Sequence, residues 1–278
     1  NKLKQEIYKP KPTKKVFIPK TNGKTRPLGI PVIEDRIVQH ALLYLLEAVF
    51  EKTFSDRSHG YRPKRGAHTT CKNIRKWKGV SWFIEGDIVN YFDTINHNKL
   101  MEIINQQIKD QQIIDLLWKF LRAGVVIDNQ YQKTTIGIPQ GSIISPILSN
   151  IYLHCFDMYI DKLKKELDTE KTSEPNPEYI SVKSRLRSKR GIDKKKGYKV
   201  LQNIKSTIRT GLKLYYVRYA DDWLLGVWGS KKDTQRIRDE IEIFLKEKLD
   251  LELSPEKTRI THAGKEKVQF LGYDIYSP

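Results

Sequence analysis

Residues 214–227 read Leu214-Tyr215-Tyr216-Val217-Arg218-Tyr219-Ala220-Asp221-Asp222-Trp223-Leu224-Leu225-Gly226-Val227. Two adjacent carboxylates stand between two apolar, β-prone runs. Both runs read as strands, which puts Asp221 and Asp222 at the tight turn of a hairpin, held on sheet edges. Neighbouring like charges repel, and a sheet rim is a costly place for them without a cation. Hard divalent ions such as Mg²⁺ take oxygen ligands, often one or two protein carboxylates together with substrate phosphates. A polar hairpin tip is the plain alternative, and the two acids alone do not decide between them.

A third acid lies far upstream. Ser81-Trp82-Phe83-Ile84-Glu85-Gly86-Asp87-Ile88 is a short apolar strand ending in a carboxylate, followed by Asn90-Tyr91-Phe92-Asp93. Asp87 precedes Asp221 by 134 residues, so only the fold brings them together. Alone it reads as a helix N-cap or a solvated strand end. On neighbouring strands of one sheet the three acids would match a two-metal site, whose ions sit about 3.5–4 Å apart and clamp a phosphoryl displacement.

Composition points to a polyanionic partner. The chain has 278 residues, 38% of them hydrophobic, enough to bury a core in one or two lobes. Its net charge of +18 is uneven. Residues 1–26, 57–78 and 183–213 carry 29 Lys and Arg against Glu6 and Asp193, a net of +27 that leaves the other 199 residues at −9. Basic segments on a mildly acidic body suit a polyanion binder, and the neighbouring Tyr8, Tyr61, Trp77, Tyr179 and Tyr198 offer rings for stacking bases. Any single basic run also reads as a solvated face. Cys71 and Cys155 lack metal-ligand spacing and suit a reducing interior, which places the protein in the cytoplasm of a bacterium or in an organelle. Six scattered histidines give no zinc pattern. No signal peptide and no apolar run near 18 residues is seen, which argues against a membrane role. Starting at Asn1 and stopping just past a strand-like block, the chain reads as an excised domain.

Along the chain, Lys15 to Ile30 reads as a hairpin turning at Thr21-Asn22-Gly23, with Lys20 and Arg26 on a basic ribbon. Glu34 to Phe50 reads as a scaffold helix with Ile37, Ala41, Leu42, Leu45, Leu46 and Val49 at helical spacing. Ser145-Pro146 reads as an N-cap with Pro at N1, opening a helix through Met158. Residues 166–211 read as a long basic inserted loop, partly helical or mobile. Residues 231–248 form an amphipathic helix, and Thr258 to Ile275 a hairpin around Ala263-Gly264. The irregular alternation points to α+β.

The chain resembles a reverse transcriptase of the group II intron-encoded (maturase) type. The matching blocks are Val16 to Lys20 through Arg26-Pro27-Leu28-Gly29-Ile30-Pro31, then His59-Gly60-Tyr61-Arg62-Pro63, and Asp87 to Asp93. They continue with Gly137-Ile138-Pro139-Gln140-Gly141-Ser142, Ser145-Pro146 and Arg218 to Asp222. Leu253 to Thr258 and Phe270-Leu271-Gly272-Tyr273 complete the set. The resemblance implies right-hand polymerase fingers and palm, with an antiparallel palm sheet packed on helices and the thumb absent. Residues 1–80 would be fingers and 81–278 palm, with 98–145 able to return to the fingers and a basic insertion at about 166–211.

The reaction it implies is attack of a primer 3′-hydroxyl on the α-phosphate of a deoxynucleoside triphosphate. Asp87 and Asp221 would hold two Mg²⁺ ions, Asp222 contributing less directly and the Ile88 carbonyl completing one shell. Phe92 matches the bulky position beneath the sugar, although it also reads as a core residue. Gln140 and Gly141 would line the nucleotide and template, and Lys20 and Arg26 would cover the triphosphate. Arg62 and Lys257 are weaker candidates, for triphosphate or template contact and for protonating pyrophosphate. Phe270 to Tyr273 would hold the primer end, and Lys194, Lys195 and Lys196 in the insertion would meet RNA phosphates. The implied partners are group II intron RNA, an RNA template with a DNA primer, and deoxynucleoside triphosphates; a homodimer is left open.

Rival readings exist. Viral RNA-dependent RNA polymerases tend to carry Gly-Asp-Asp at the turn and Asp where Phe92 stands, so they are discounted. A related bacterial reverse transcriptase, from a retron or a CRISPR-linked system, is closer. An RNA-binding splicing maturase with little polymerase activity is the third, and the intact acids speak against it.

Overall fold

The hairpin at Asp221-Asp222 forms one side of a four-stranded sheet, with its first strand at the edge. The computed structural model describes residues 2–5, 7–19, 23, 25–169, 172–188, 194–204 and 206–276. In chain order the elements are β1 (Thr13–Pro19), β2 (Thr25–Ile30), α1 (Ile33–Phe50), α2 (Ala67–Ile74), β3 (Trp82–Gly86), α3 (Tyr91–Thr94) and α4 (His97–Gln107). Next come α5 (Gln111–Leu121), β4 (Val125–Ile127), β5 (Gln130–Gln132), α6 (Ser145–Leu167), β6 (Thr172–Pro175), α7 (Pro177–Arg187), α8 (Lys194–Asn203) and β7 (Thr207–Thr210). The last are β8 (Lys213–Tyr219), β9 (Asp222–Trp228), α9 (Lys231–Leu249), β10 (Arg259–His262), β11 (Val268–Phe270) and β12 (Tyr273–Ile275).

The central sheet has the order β10-β3-β9-β8 and is antiparallel throughout. One face, with Leu214, Tyr216, Trp223, Leu225 and Val227, joins α4, α6 and α9 in the main core. The other face, with Phe83, Val217 and Leu224, packs beneath Ile74 of α2 and Val268 and Phe270 of β11. Strands buried on both sides need near-continuous apolar runs, which is how 214–217 and 223–228 read. A second sheet, β2-β1-β4-β5, pairs the basic ribbon with residues 125–132, β4 running parallel to β1.

Four expectations change. The basic insertion, expected as a partly helical loop, has among its described residues a strand pair as well: β6 and β7 pair antiparallel and carry α7 and α8 between them. Weak apolar periodicity hid helices that bury little; α7 has no buried residue. The expected 258–275 hairpin is split. Its first strand, β10, pairs with β3, and the true hairpin is β11–β12, turning at Leu271 (φ 53°) and Gly272 (φ 79°). Two consecutive left-handed residues match the right-handed twist of the strands they join. On α1 the buried stripe is Val38, Leu42, Leu46 and Phe50, whereas Ile37 stays 67% exposed. Ser145 is the first residue of α6, not its cap, and its hydroxyl donates to the Pro139 carbonyl at 2.8 Å. Among the described residues no helix is long and apolar enough to cross a membrane.

At the centre sits a charge pair. Arg218 in β8 and Asp157 in α6 are both fully buried. The guanidinium donates to Asp157 from Nε (2.8 Å) and Nη2 (2.6 Å), to Asn150 Oδ1 (3.0 Å) and to Ser58 Oγ (2.8 Å). Tyr216 Oη also donates to Asp157, at 2.7 Å. A buried ion is tolerable only when its hydrogen-bonding capacity is met this fully. Removing one partner strands the other charge. Asp157→Ala should therefore lose about 3–5 kcal/mol of unfolding free energy in a urea titration. A loss below about 1 kcal/mol would show that the pair does not hold helix and sheet together.

Candidate active site

Pairing between β3 and β9 ends with Gly86 opposite Trp223. One residue beyond each stand Asp87 and Asp222, so two chain-distant carboxylates share one end of the sheet. Gly86 permits this approach: a Cβ there would fall 1.9 Å from Trp223 Cζ2. Asp221 sits in the two-residue turn closed by the Tyr219–Asp222 pair, next to Ala220 at φ 56°. A left-handed alanine is strained by about 1–3 kcal/mol and persists where surroundings over-determine it. Here Arg218 Nη1 donates to the Ala220 carbonyl at 2.7 Å.

The acids feel one another. Burial, then repulsion from Asp221 and Asp87, pushes the Asp222 carboxyl up to about 6, against an opposing pull from Lys257. Asp222 keeps a solvent-facing surface, so its lost hydration reflects protein packed behind it. Burial likewise raises Asp221, with Asp87 adding to the effect and Arg26 and Arg218 opposing it. Lys257 Nζ donates to Asp87 Oδ2 at 3.0 Å. Among the described residues no three His, Cys, Asp or Glu side chains close into a cation cage. Mg²⁺ needs fewer, since it commonly takes one or two protein carboxylates and completes its shell with water and phosphate oxygens. Hard oxygen donors gathered at one sheet end, two of them, Asp221 and Asp222, with raised proton affinity, fit such an ion. The bridge of Ile88 to Leu253 engages the Asp87 carbonyl, which accepts from Ser254 N at 2.8 Å, and leaves the Ile88 carbonyl out of that bond.

The loop 137–142 is stitched to the same region. Ile138 N donates to the Phe92 carbonyl (2.8 Å), Gly29 N to the Gln140 carbonyl (2.5 Å), and Ile143 N to Gln39 Oε1 (3.0 Å). Gly137 (φ 81°) lies so close to Asp93 that a Cβ would sit 2.8 Å from its carbonyl oxygen. Arg26 Nε donates to Gln140 Oε1 at 2.8 Å, which draws the basic ribbon over the loop. Arg26, Phe92, Gln140 and Gly141 are thus brought together. Phe92 is 6% exposed and belongs to the main core as well. Beside the acids a cleft of about 620 Å³ is lined by Asp87, Asp222, Lys257, Gln269, Phe270 and Leu271, so the β11–β12 hairpin forms its far wall.

Other expected residues fare differently. Arg62 is a correction: it is buried, and its guanidinium donates to Glu51 Oε1 (2.9 Å) and to the Ser55 (2.7 Å) and Ser58 (2.8 Å) carbonyls. Its donors are engaged inside the protein, where they anchor the 55–62 segment. Lys20 lies outside the described residues. Lys194, Lys195 and Lys196 open α8, and their side chains lie outside the described residues too.

Sequence reasoning missed the strap that backs the turn. His59 N donates to the Arg218 carbonyl at 2.8 Å, and Asn150 Nδ2 donates to the Gly60 carbonyl at 2.8 Å. A Cβ on Gly60 would fall 2.1 Å from Ala220 N. The available signal was Arg218 itself, a cation in an apolar strand that demands a buried partner.

The model of the family described as reverse transcriptase (RNA-dependent DNA polymerase) matches residues 18–172 and 197–275. The chain is 43% identical to the group II intron-encoded protein LtrA of Lactococcus lactis subsp. cremoris, over 98% of its own length and 48% of that protein's. It is 36% identical to protein YkfC of Escherichia coli, over 96% of its own length and 68% of that protein's. Against LtrA, therefore, it spans about half the relative's length. A solved structure of telomerase from Candida albicans, in complex with a fragment of telomeric RNA, superposes with a TM-score of 0.66 at 11% identity, over 97% of this chain and 44% of that one. At that identity the likeness is one of fold, and it is the α+β fold of fingers and an antiparallel palm. By its sequence blocks and its architecture, the chain belongs to the reverse transcriptase (RNA-dependent DNA polymerase) family, of the group II intron-encoded type.

Proposed function

We propose that the chain is the fingers and palm of an RNA-directed DNA polymerase encoded by a group II intron, extending a DNA primer on an RNA template. Residues 1–80 act as fingers and 81–278 as palm, with β4 and β5 returning to the fingers. The observation that carries the reading is the meeting of Asp87, Asp221 and Asp222 at one end of the central sheet. Asp87 and Asp221, with Asp222 and the Ile88 carbonyl in support, would hold two Mg²⁺ ions, which supply charge neutralisation and a more acidic attacking hydroxyl.

The remaining work is positioning, because phosphoryl transfer asks for little covalent help from the protein. Arg26, steadied by Gln140, faces the phosphates and spreads positive charge where negative charge develops. Lys20, on the same ribbon in sequence, is assigned the same role. Gly141 (φ 103°) lets the loop backbone press on β2, since a Cβ would fall 2.7 Å from the Gly29 carbonyl. Phe92, fixed through its carbonyl to Ile138, fills the space a ribose 2′-hydroxyl would need. Lys257, whose Nζ donates to Asp87, is assigned the protonation of the departing pyrophosphate. The β11–β12 hairpin, across the cleft, supports the primer end. Group II intron RNA is the proposed partner in splicing and mobility, with Lys194, Lys195 and Lys196 assigned to its phosphates on charge alone.

Asp87→Asn and Asp221→Asn should each lower Mg²⁺-dependent primer extension by at least about a hundredfold, with RNA affinity and unfolding midpoint nearly unchanged. Extension near the wild-type rate in either variant sinks the assignment. Phe92→Val should raise ribonucleotide incorporation relative to deoxynucleotide on the order of tenfold. An unchanged ratio in a variant that still extends primers would leave Phe92 a core residue only.

A further inference from the structure

On the central sheet, some six residues back from Asp221 and so about 20 Å along β8 at 3.3 Å per residue, a second group of side chains collects. Its centre is Tyr215, half-buried on the edge strand. Trp77 stacks on it, with centroids 5.6 Å apart and planes 21° from parallel. Trp77 lies flat over the sheet because Gly226 beneath it has no side chain; a Cβ there would come 2.8 Å from the Trp77 ring. Lys213 Nζ and Lys164 Nζ stand 5.5 and 5.8 Å from the Tyr215 centroid. The phenol donates to the Lys78 carbonyl at 3.0 Å, which pins the turn after α2 to the strand.

The fold thereby joins two basic runs that the sequence keeps far apart, 57–78 and 183–213, at one aromatic pair. Lys164 is neutralised by Asp168. Lys76, Lys78 and Lys213 pair with no acid among the described residues, and Lys76 and Lys78 are exposed. The foot of the basic insertion abuts the same place, Thr169 N donating to the Leu212 carbonyl at 2.9 Å. Unpaired cations around a half-exposed, rigid ring pair match the backbone and bases of single-stranded nucleic acid. Burying the ring against an apolar peptide would leave these lysines without counter-charge, so charge complementarity favours the nucleic acid.

We infer that Tyr215 and Trp77, with Lys76, Lys78 and Lys213, form a second binding surface for single-stranded RNA, separate from the acid cleft. The choice of RNA rests on the function proposed above. On that function the surface holds intron RNA, away from the catalytic end.

The test uses the whole chain, a labelled unstructured RNA oligonucleotide, an RNA duplex and a single-stranded DNA of equal length, and fluorescence anisotropy over a salt series. Replacing Lys76, Lys78 and Lys213 together by Gln should weaken single-strand binding about tenfold and flatten the salt slope by about two units, at roughly 0.7 per phosphate contact. Tyr215→Val should weaken single-strand binding about fivefold or more, leave duplex binding alone and keep the slope. Tyr215→Phe, which retains the ring and loses only the bond to the Lys78 carbonyl, should bind single strands within about twofold of wild type, and unchanged duplex binding by Tyr215→Val shows that its loss is not misfolding. Wild-type affinity and slope in the lysine variant overturn the proposal, as does equal weakening of single strand and duplex by Tyr215→Val. If the DNA strand binds as tightly as the RNA, the assignment to RNA is overturned. Primer extension on a short hairpin template, run in parallel, should stay within about twofold in all three variants, since their effect is on affinity away from the acids. Failure of wild-type extension would reject the polymerase reading and leave the RNA measurement standing.

Discussion

The buried contact between Arg218 and Asp157 is the constraint on which the catalytic end depends. It joins the edge strand β8 to the central helix α6, and through Ser58 and Asn150 it reaches the strap that backs the turn. The same guanidinium holds the Ala220 carbonyl, so one side chain fixes both the packing of the sheet and the left-handed residue that aims Asp221. A hydrophobic pair could join helix and strand at least as well. It could not donate to a carbonyl and a hydroxyl in opposite directions. Directionality, rather than net stabilisation, explains a charge in that position.

A parallel arrangement governs the other side of the cleft. Gln39, buried in α1, accepts from Ser142 Oγ and Ile143 N, both at 3.0 Å, while Gly29 binds the Gln140 carbonyl. The loop is therefore gripped from α1 and from β2 and leans on α3 through Phe92. The turn that carries Asp221, the strand that leads into Asp87 and the 137–142 loop are each held by backbone hydrogen bonds from a neighbouring element. Such multiple anchoring is what precise charge placement requires.

What could be read from the sequence was what local periodicity encodes. The acid hairpin, the basic ribbon, α1 and α9 follow from alternation, turn residues and helical spacing. Pairing partners were not legible. β10 reads as half of a hairpin with its successor, but its Cα register against Trp82 to Glu85 gives it the sheet instead, and Leu271-Gly272 supplies the turn. The face of α1 was misjudged because its apolar residues nearly encircle the helix, leaving Ile33, Ile37 and Tyr44 exposed. The three acids were recognisable as candidates, and their register was not. Arg62 illustrates the opposite error: a cation in a matching block, engaged wholly with its own chain.

Acids drawn together at a sheet end repel, and burial, with that repulsion adding to it, lifts Asp222 to about 6. The register of β3 against β9 holds them there regardless, a local conflict of the kind that functional sites retain. Phosphates approaching this end meet negative charge, so long-range attraction has to come from elsewhere on the surface. At physiological salt exposed charges are screened beyond about 8 Å. Lys213, eight residues back from Asp221 and so about 26 Å along β8 at 3.3 Å per residue, lies well beyond that length, where the carboxylates do not cancel its charge. On the proposed function, separating the two charge regions along one sheet would let the chain attract nucleic acid at one end and hold Mg²⁺ at the other.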